Sequence, residues 1–193
     1  MMVAPAVKLT FRERMQGPFA SGAPTPDVGA SQGRARGTIL LLDLTVTIDN
    51  LDEFLAAERH VAKLDGTVTC PDLATAQPIS DGALEMYVAD PAKGAKLLRY
   101  TFTFKGDDGA AYHFRGVKVL RTPFPSLRAQ VTLFSEIRVG GADGPLWGAG
   151  ILTFRLRDLP SFLASMRAEG CSRALALWRF GRFAQRELSL APA

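Results

Sequence analysis

Lys118 is the position in this chain whose chemistry is least explained by its neighbours. Strand-period alternation over Ala111–Leu120 places it on one face with Tyr112 and Phe114. A lysine desolvated among aromatic rings loses stabilisation of its charge. It could then serve as a base, a Schiff-base amine or an anchor for a ligand's carboxylate or hydroxyl. The plainer reading, which we prefer, is that the stem covers apolar surface while the ammonium reaches a barrel mouth or pairs with Glu136 or Glu85. His113 falls on the opposite face, so a His/Lys pair on one strand is not expected. His60 is expected to close a first helix, where a cation meets the negative end of the helix dipole.

The remaining reactive types carry weaker signals. Cys70 precedes Pro71 at a strand end and reads as a small buried hydrophobe, whereas Cys171 lies between helices and is expected to be exposed. The wide separation of these two cysteines suggests neither a disulfide framework nor a zinc site, and no Asp/Glu spacing completes a metal site around the two histidines. Trp147, within Gly144-Pro-Leu-Trp-Gly148, reads as a turn aromatic packed on the barrel end, with a binding-loop aromatic as the alternative. Arg173, Arg179, Arg182 and Arg186 share the last helix with Trp178 and Phe183. They read as a solvated basic face over a core stripe, with contact to anionic lipid or an acidic partner as the alternative.

The elements that must position these residues are mostly strands. Over Thr38–Ile48, Leu40, Leu42, Leu44, Val46 and Ile48 share one face, and Asn50-Leu-Asp-Glu53 then reads as a capping box opening a helix to about His60. Further strands are expected at Gly66–Cys70, Ala83–Val88, Leu97–Phe104, Ala111–Leu120, Gln130–Val139 and Gly150–Arg157. Lys105-Gly-Asp-Asp-Gly109 should join two of them as a hairpin with Leu98, Tyr100, Phe102 and Phe104 facing inward. Helices are expected from Leu159 to about Glu169 and from Ser172 to about Leu188, the last with Leu175, Trp178, Phe183 and Leu188 as its apolar stripe. Residues 17–37, rich in Gly, Pro, Ser and Ala, read as a mobile loop.

The strand–helix unit Thr45–Ala56 is repeated at Thr153–Ala164, with five identical positions including Phe54/Phe162 and Leu55/Leu163. The fold class expected is therefore α+β, mainly β. It is an antiparallel meander rolled into a barrel or curved sheet, with helices at its ends and an internal duplication suggested by the repeat. An N-terminal segment and loop (1–37) precede one β-rich domain (38–190), whose repeated halves would be about 38–120 and 121–190.

Composition narrows the function classes. The 193 residues are 47% hydrophobic and 22% charged with a net charge of +4, ordinary for a globular chain. The basic residues are interleaved with apolar ones and form no stripe suited to nucleic acid. No run approaches the ~20 apolar residues of a membrane span, and no signal-peptide pattern opens the chain, so a cytoplasmic protein is expected. Neither a dinucleotide fingerprint nor a phosphate-binding loop is present, so no cofactor is expected.

Six motifs occur in order: Phe11-x-Glu13-x-Met15-x-Gly17, Gly66-x-Val68-x-Cys70-Pro-x-Leu73, Leu98-Arg-Tyr100, Gly116-x-Lys118-x-Leu120, Ala149-Gly-Ile-Leu152 and Arg179-Phe-Gly-x-Phe183. Over most of residues 8–188 the set resembles a small domain found in bacterial proteins beside cholesterol-oxidase-like flavoenzymes of the glucose-methanol-choline oxidoreductase group. The resemblance implies an accessory module in sterol or lipid metabolism, with a flavoenzyme as partner. It carries no catalytic residues to this chain. The sequence departs from the family pattern at Pro125-Ser-Leu-Arg-Ala-Gln130, where a Trp and an Asp are expected.

Three readings follow. The first is a non-catalytic domain that binds a hydrophobic, sterol- or fatty-acid-like molecule, or a partner oxidoreductase, with Tyr100, Phe102, Tyr112, Phe114 and Lys118 as the ligand site. The second is a structural or interaction module, as monomer or homo-oligomer, whose interior those aromatics fill. The third, ranked last, is an enzyme using Lys118 or His113.

Overall fold

A computed structural model describes residues 6–121, 123 and 125–190. Eight antiparallel strands follow one another around a closed barrel: β1 (Lys8–Ser21), β2 (Ile39–Ile48), β3 (His60–Cys70), β4 (Ala74–Asp90), β5 (Ala95–Lys105), β6 (Ala111–Arg121), β7 (Thr132–Val139) and β8 (Leu146–Phe154). Closure comes from β1, which pairs with β2 along one edge (Leu9↔Ile48 to Pro18↔Ile39) and with β8 along the other (Met15↔Phe154 to Ser21↔Gly148). A ninth strand, β9 (Arg167–Glu169), pairs with Lys8–Thr10 of β1 beyond the end of β8. It covers a stretch of edge that would otherwise expose backbone donors and acceptors.

Alternation sets the inside. Leu40, Leu42, Leu44, Val46 and Ile48 are buried as one face of β2, and Leu133, Ser135 and Ile137 as one face of β7. The expected hairpin is present, with Phe102 opposite Phe114 and Phe104 opposite Tyr112. In the upper half of the interior the Phe102 and Phe114 rings stack at 4.5 Å between centroids, Phe104 stacks on Tyr112 at 5.6 Å, and Trp147 lies against both Tyr112 and Phe19.

Helices close the lower mouth, where β1 begins. They are α2 (Leu51–Ala56), α4 (Leu159–Ser165) and α5 (Arg173–Ser189); a short α3 (Leu127–Val131) leads into β7. Asn50 caps α2, its side chain accepting from the amides of Asp52 and Glu53. The repeated units are β2–α2 and β8–α4. Their strands flank β1 on either side, so both helices reach the same mouth. The likeness stops there: residues 38–120 carry five barrel strands and 121–190 two, whereas a duplicated half-barrel would place equivalent strands four positions apart.

Residues 17–37 are not a loop. They hold the end of β1 and the helix α1 (Pro26–Arg36), which packs on the outer wall over Ala20 and Ala149. The Thr25 hydroxyl caps α1 by accepting from Val28, Pro26 occupies its first position, and Gly37 ends it at φ 71°. The glycines that suggested mobility instead permit contact. A Cβ on Gly29 would fall on the Ala149 carbonyl, and one on Gly33 on the Phe19 backbone.

Other boundaries also move. His60 opens β3 rather than ending a helix, although its Nδ1 does hydrogen-bond the Phe54 carbonyl of α2 at 2.7 Å. The helix expected to run to Glu169 stops at Ser165 and gives way to β9. The stripe assigned to α5 holds at Phe183, which packs on the core, but is out of phase over the first turns. Leu175 and Trp178 are exposed (47% and 57%), while Ala176, Leu177, Phe180 and Phe183 face the barrel.

Candidate functional site

The inward face of β1 reads Leu9, Phe11, Glu13, Met15, and the carboxylate in that apolar series meets Lys118 from across the barrel. Lys118 Nζ donates to Glu13 Oε1 at 2.5 Å, and the Tyr100 hydroxyl donates to Glu13 Oε2 at 2.9 Å. The ammonium also lies over the Tyr100 ring, 5.2 Å from its centroid. The three residues are 7% (Glu13), 3% (Lys118) and 1% (Tyr100) exposed. Burial, then the neighbouring Glu13 carboxylate, pushes the Tyr100 phenol well above its usual range and keeps it protonated as a donor. Lys118 therefore has a partner, but neither of those expected. Glu85 is taken by Arg59, with Arg99 at 4.0 Å, and Glu136 by Arg138.

A second polar pair lies toward the lower mouth. Lys96 on β5 donates to Glu187 of α5 at 2.6 Å, and both side chains are largely buried. Tyr87 sits in the irregular stretch of β4 between Glu85 and Val88 at φ 58°, packed edge-on against Phe183. Burial, then Glu187, raises its phenol. Phe54, His60, Phe180 and Phe183 complete the plug, with His60 and Phe183 ring centroids 4.6 Å apart.

All five expected ligand-site residues therefore lie inside the barrel on two neighbouring strands, Tyr100 and Phe102 on β5 and Tyr112, Phe114 and Lys118 on β6. They are brought together mainly as packing partners. Both Glu13 oxygens are occupied, Tyr112 donates to Asp108 at 2.8 Å, and the Phe102 and Phe114 rings cover each other. Glu13 is the residue that reading from Lys118 alone misses, although an acid in the period-two apolar series of β1 is itself a signal.

His113 lies outside, between Thr103 and Arg138. Partial burial, then Arg138 and Arg115, lowers its pKa. Cys70 is buried, and its thiol is pushed up to about 12 by desolvation and then Asp72. Cys171 is half-buried rather than exposed. Among the described residues no three His, Cys, Asp or Glu converge as metal ligands, and no helix is long and apolar enough to cross a membrane.

Among the described residues, concavities on the outer wall include two of note. The larger, of ≈ 1240 Å³, lies over β6, β7 and β8 between α1 and α3; the smaller, of ≈ 260 Å³, lies beside α4. None of the five interior residues lines either one. Compared with family models, with curated proteins and with solved structures, the chain matches none of them. Functional argument therefore rests on the geometry.

Proposed function

We propose that this chain is a non-catalytic accessory module: a barrel with a packed interior that acts through its outer surface, on a hydrophobic ligand or a partner protein. The observation that carries this reading is that the polar groups of the interior are satisfied by one another. Glu13 accepts from Lys118 and Tyr100, and Lys96 pairs with Glu187. A ligand seated inside would have to displace charge-assisted hydrogen bonds in a desolvated site, and Phe102 and Phe114 would have to part to admit it. Small eight-stranded barrels are commonly filled by their own side chains in this way.

The resemblance to domains beside cholesterol-oxidase-like flavoenzymes favours an accessory role, and a flavin oxidoreductase of that group is the partner it suggests. The test is NMR of the interior aromatic side chains in protein purified from its native host without detergent, before and after solvent extraction of bound material. The Phe102 and Phe114 resonances are expected to be unchanged. Interior shifts that move when bound material is stripped would overturn the reading in favour of a ligand-holding barrel.

A further inference from the structure

The larger outer concavity has a definite floor and rim. Register places Phe134 of β7 opposite Ile151 of β8 and opposite Val117 of β6, and alternation turns Phe134, Ile151 and Val119 to the outside. These residues, with Val131 and Pro18, give an apolar floor spanning four strands. Over its β6 end stand three cations from separate elements. Lys93 comes from the turn before β5, Arg121 from the end of β6 beside Ala95, and Arg128 from α3. Arg34 and Asp27 of α1 form the opposite wall. Among the described residues Lys93 has Asp90 at 3.4 Å, whereas none of the ion pairs uses Arg34, Arg121 or Arg128. One carboxylate, Asp27, thus faces four cations in the lining.

An occupant that matches this surface has an apolar body a few strands long and an anionic head at one end. An acidic peptide would satisfy the rim but leave the floor wet, and a neutral sterol the reverse. Guanidinium groups hold carboxylates in a bidentate fork. We infer that this groove binds a long-chain carboxylate, its head at Lys93, Arg121 and Arg128 and its chain over Phe134 and Ile151. The inference rests on the outer-surface reading above and gives that surface a ligand class.

The test is isothermal titration of the full chain with oleate below its micellar concentration, with oleyl alcohol and a hexaglutamate peptide as comparison probes and circular dichroism as the folding control. Oleate should bind one-to-one and at least about tenfold more tightly than oleyl alcohol, since only the acid makes charge-assisted contacts. The double variant Arg121→Glu with Arg128→Glu should weaken it by at least about tenfold. The interior double variant Glu13→Met with Lys118→Met should leave it unchanged.

No oleate binding, equal binding of the alcohol, or binding of hexaglutamate in its place would overturn the carboxylate assignment and leave the packed-barrel reading standing. Oleate binding that survives the arginine changes and is lost in the interior variant would overturn both.

Discussion

Replacing Lys118 by methionine should cost this protein far more than replacing Lys118 and Glu13 together. The two charges approach to 2.5 Å within the barrel. At an effective dielectric near 20 their attraction is about 7 kcal/mol. Removing each ion from water costs several kcal/mol, so the intact pair gains little over an apolar pair of similar volume. Lys118→Met removes the attraction but leaves Glu13 desolvated, with one hydrogen bond from Tyr100, and should cost about 3–5 kcal/mol. Glu13→Met should cost about as much, since it strands Lys118. In the double variant both charges are gone and the main unmet group is the Tyr100 hydroxyl, a deficit of about 1–3 kcal/mol that the removed desolvation offsets in part. Urea unfolding of the four proteins closes the cycle. The expected signature is an unchanged m-value with a coupling energy of about 3 kcal/mol or more. Single substitutions that each cost less than about 1 kcal/mol and add without coupling would refute the reasoning, since such side chains would not meet in a dry interior.

Further outcomes follow from the same packing. Gly29→Ala should destabilise the fold by about 2 kcal/mol or more, because α1 must retreat from the wall. Gly181→Ala, in an exposed helix interior with nothing within 4 Å, should stabilise it by about 1 kcal/mol; thermal melts compare the two. The His113 imidazole should titrate below its usual pKa in an NMR pH series, and Arg138→Gln should bring the midpoint back up. Because the folded pKa is depressed, the unfolded chain binds the proton more readily. His113 therefore contributes stability above about pH 6.5 that is lost as the pH falls through the folded midpoint, and His113→Gln should flatten that slope in urea titrations. In the native protein a thiol reagent should modify the half-buried Cys171 well before Cys70; prompt labelling of Cys70 would contradict its burial.

Legibility in the sequence followed how local the determining force was. β2 and the β5–β6 hairpin were legible because period-two alternation against a core needs no knowledge of partners. The first turns of α5 were not, because Trp178 and Leu175 look like core by type, while Ala176 is chosen by the space left at the mouth. Trp178 instead stays outside with Arg182 over its ring at 5.0 Å. Residues 17–37 misled for the opposite reason. Gly29 and Gly33 mark a helix pressed against a wall, and composition cannot separate close contact from flexibility. For the interior polar site, Lys118 was visible as an anomaly on its own strand, but Glu13 lies 105 residues earlier and three strands away, so only closure reveals that the two anomalies answer each other.

Closure by β1 also sets an order of events during synthesis. The first strand can pair with β2 as soon as residues to about Ile48 are available, and each later hairpin can add in turn. The other edge of β1 waits for β8, so the barrel cannot seal until the chain has been made to Phe154. Until then a growing open sheet carries two unpaired edges, each able to pair with the same edge on a neighbouring nascent chain. Ribosomes translating this message in close succession would bring such edges together, and the interval between the emergence of Ser21 and of Phe154 from the ribosome is a period in which chaperone cover would protect them.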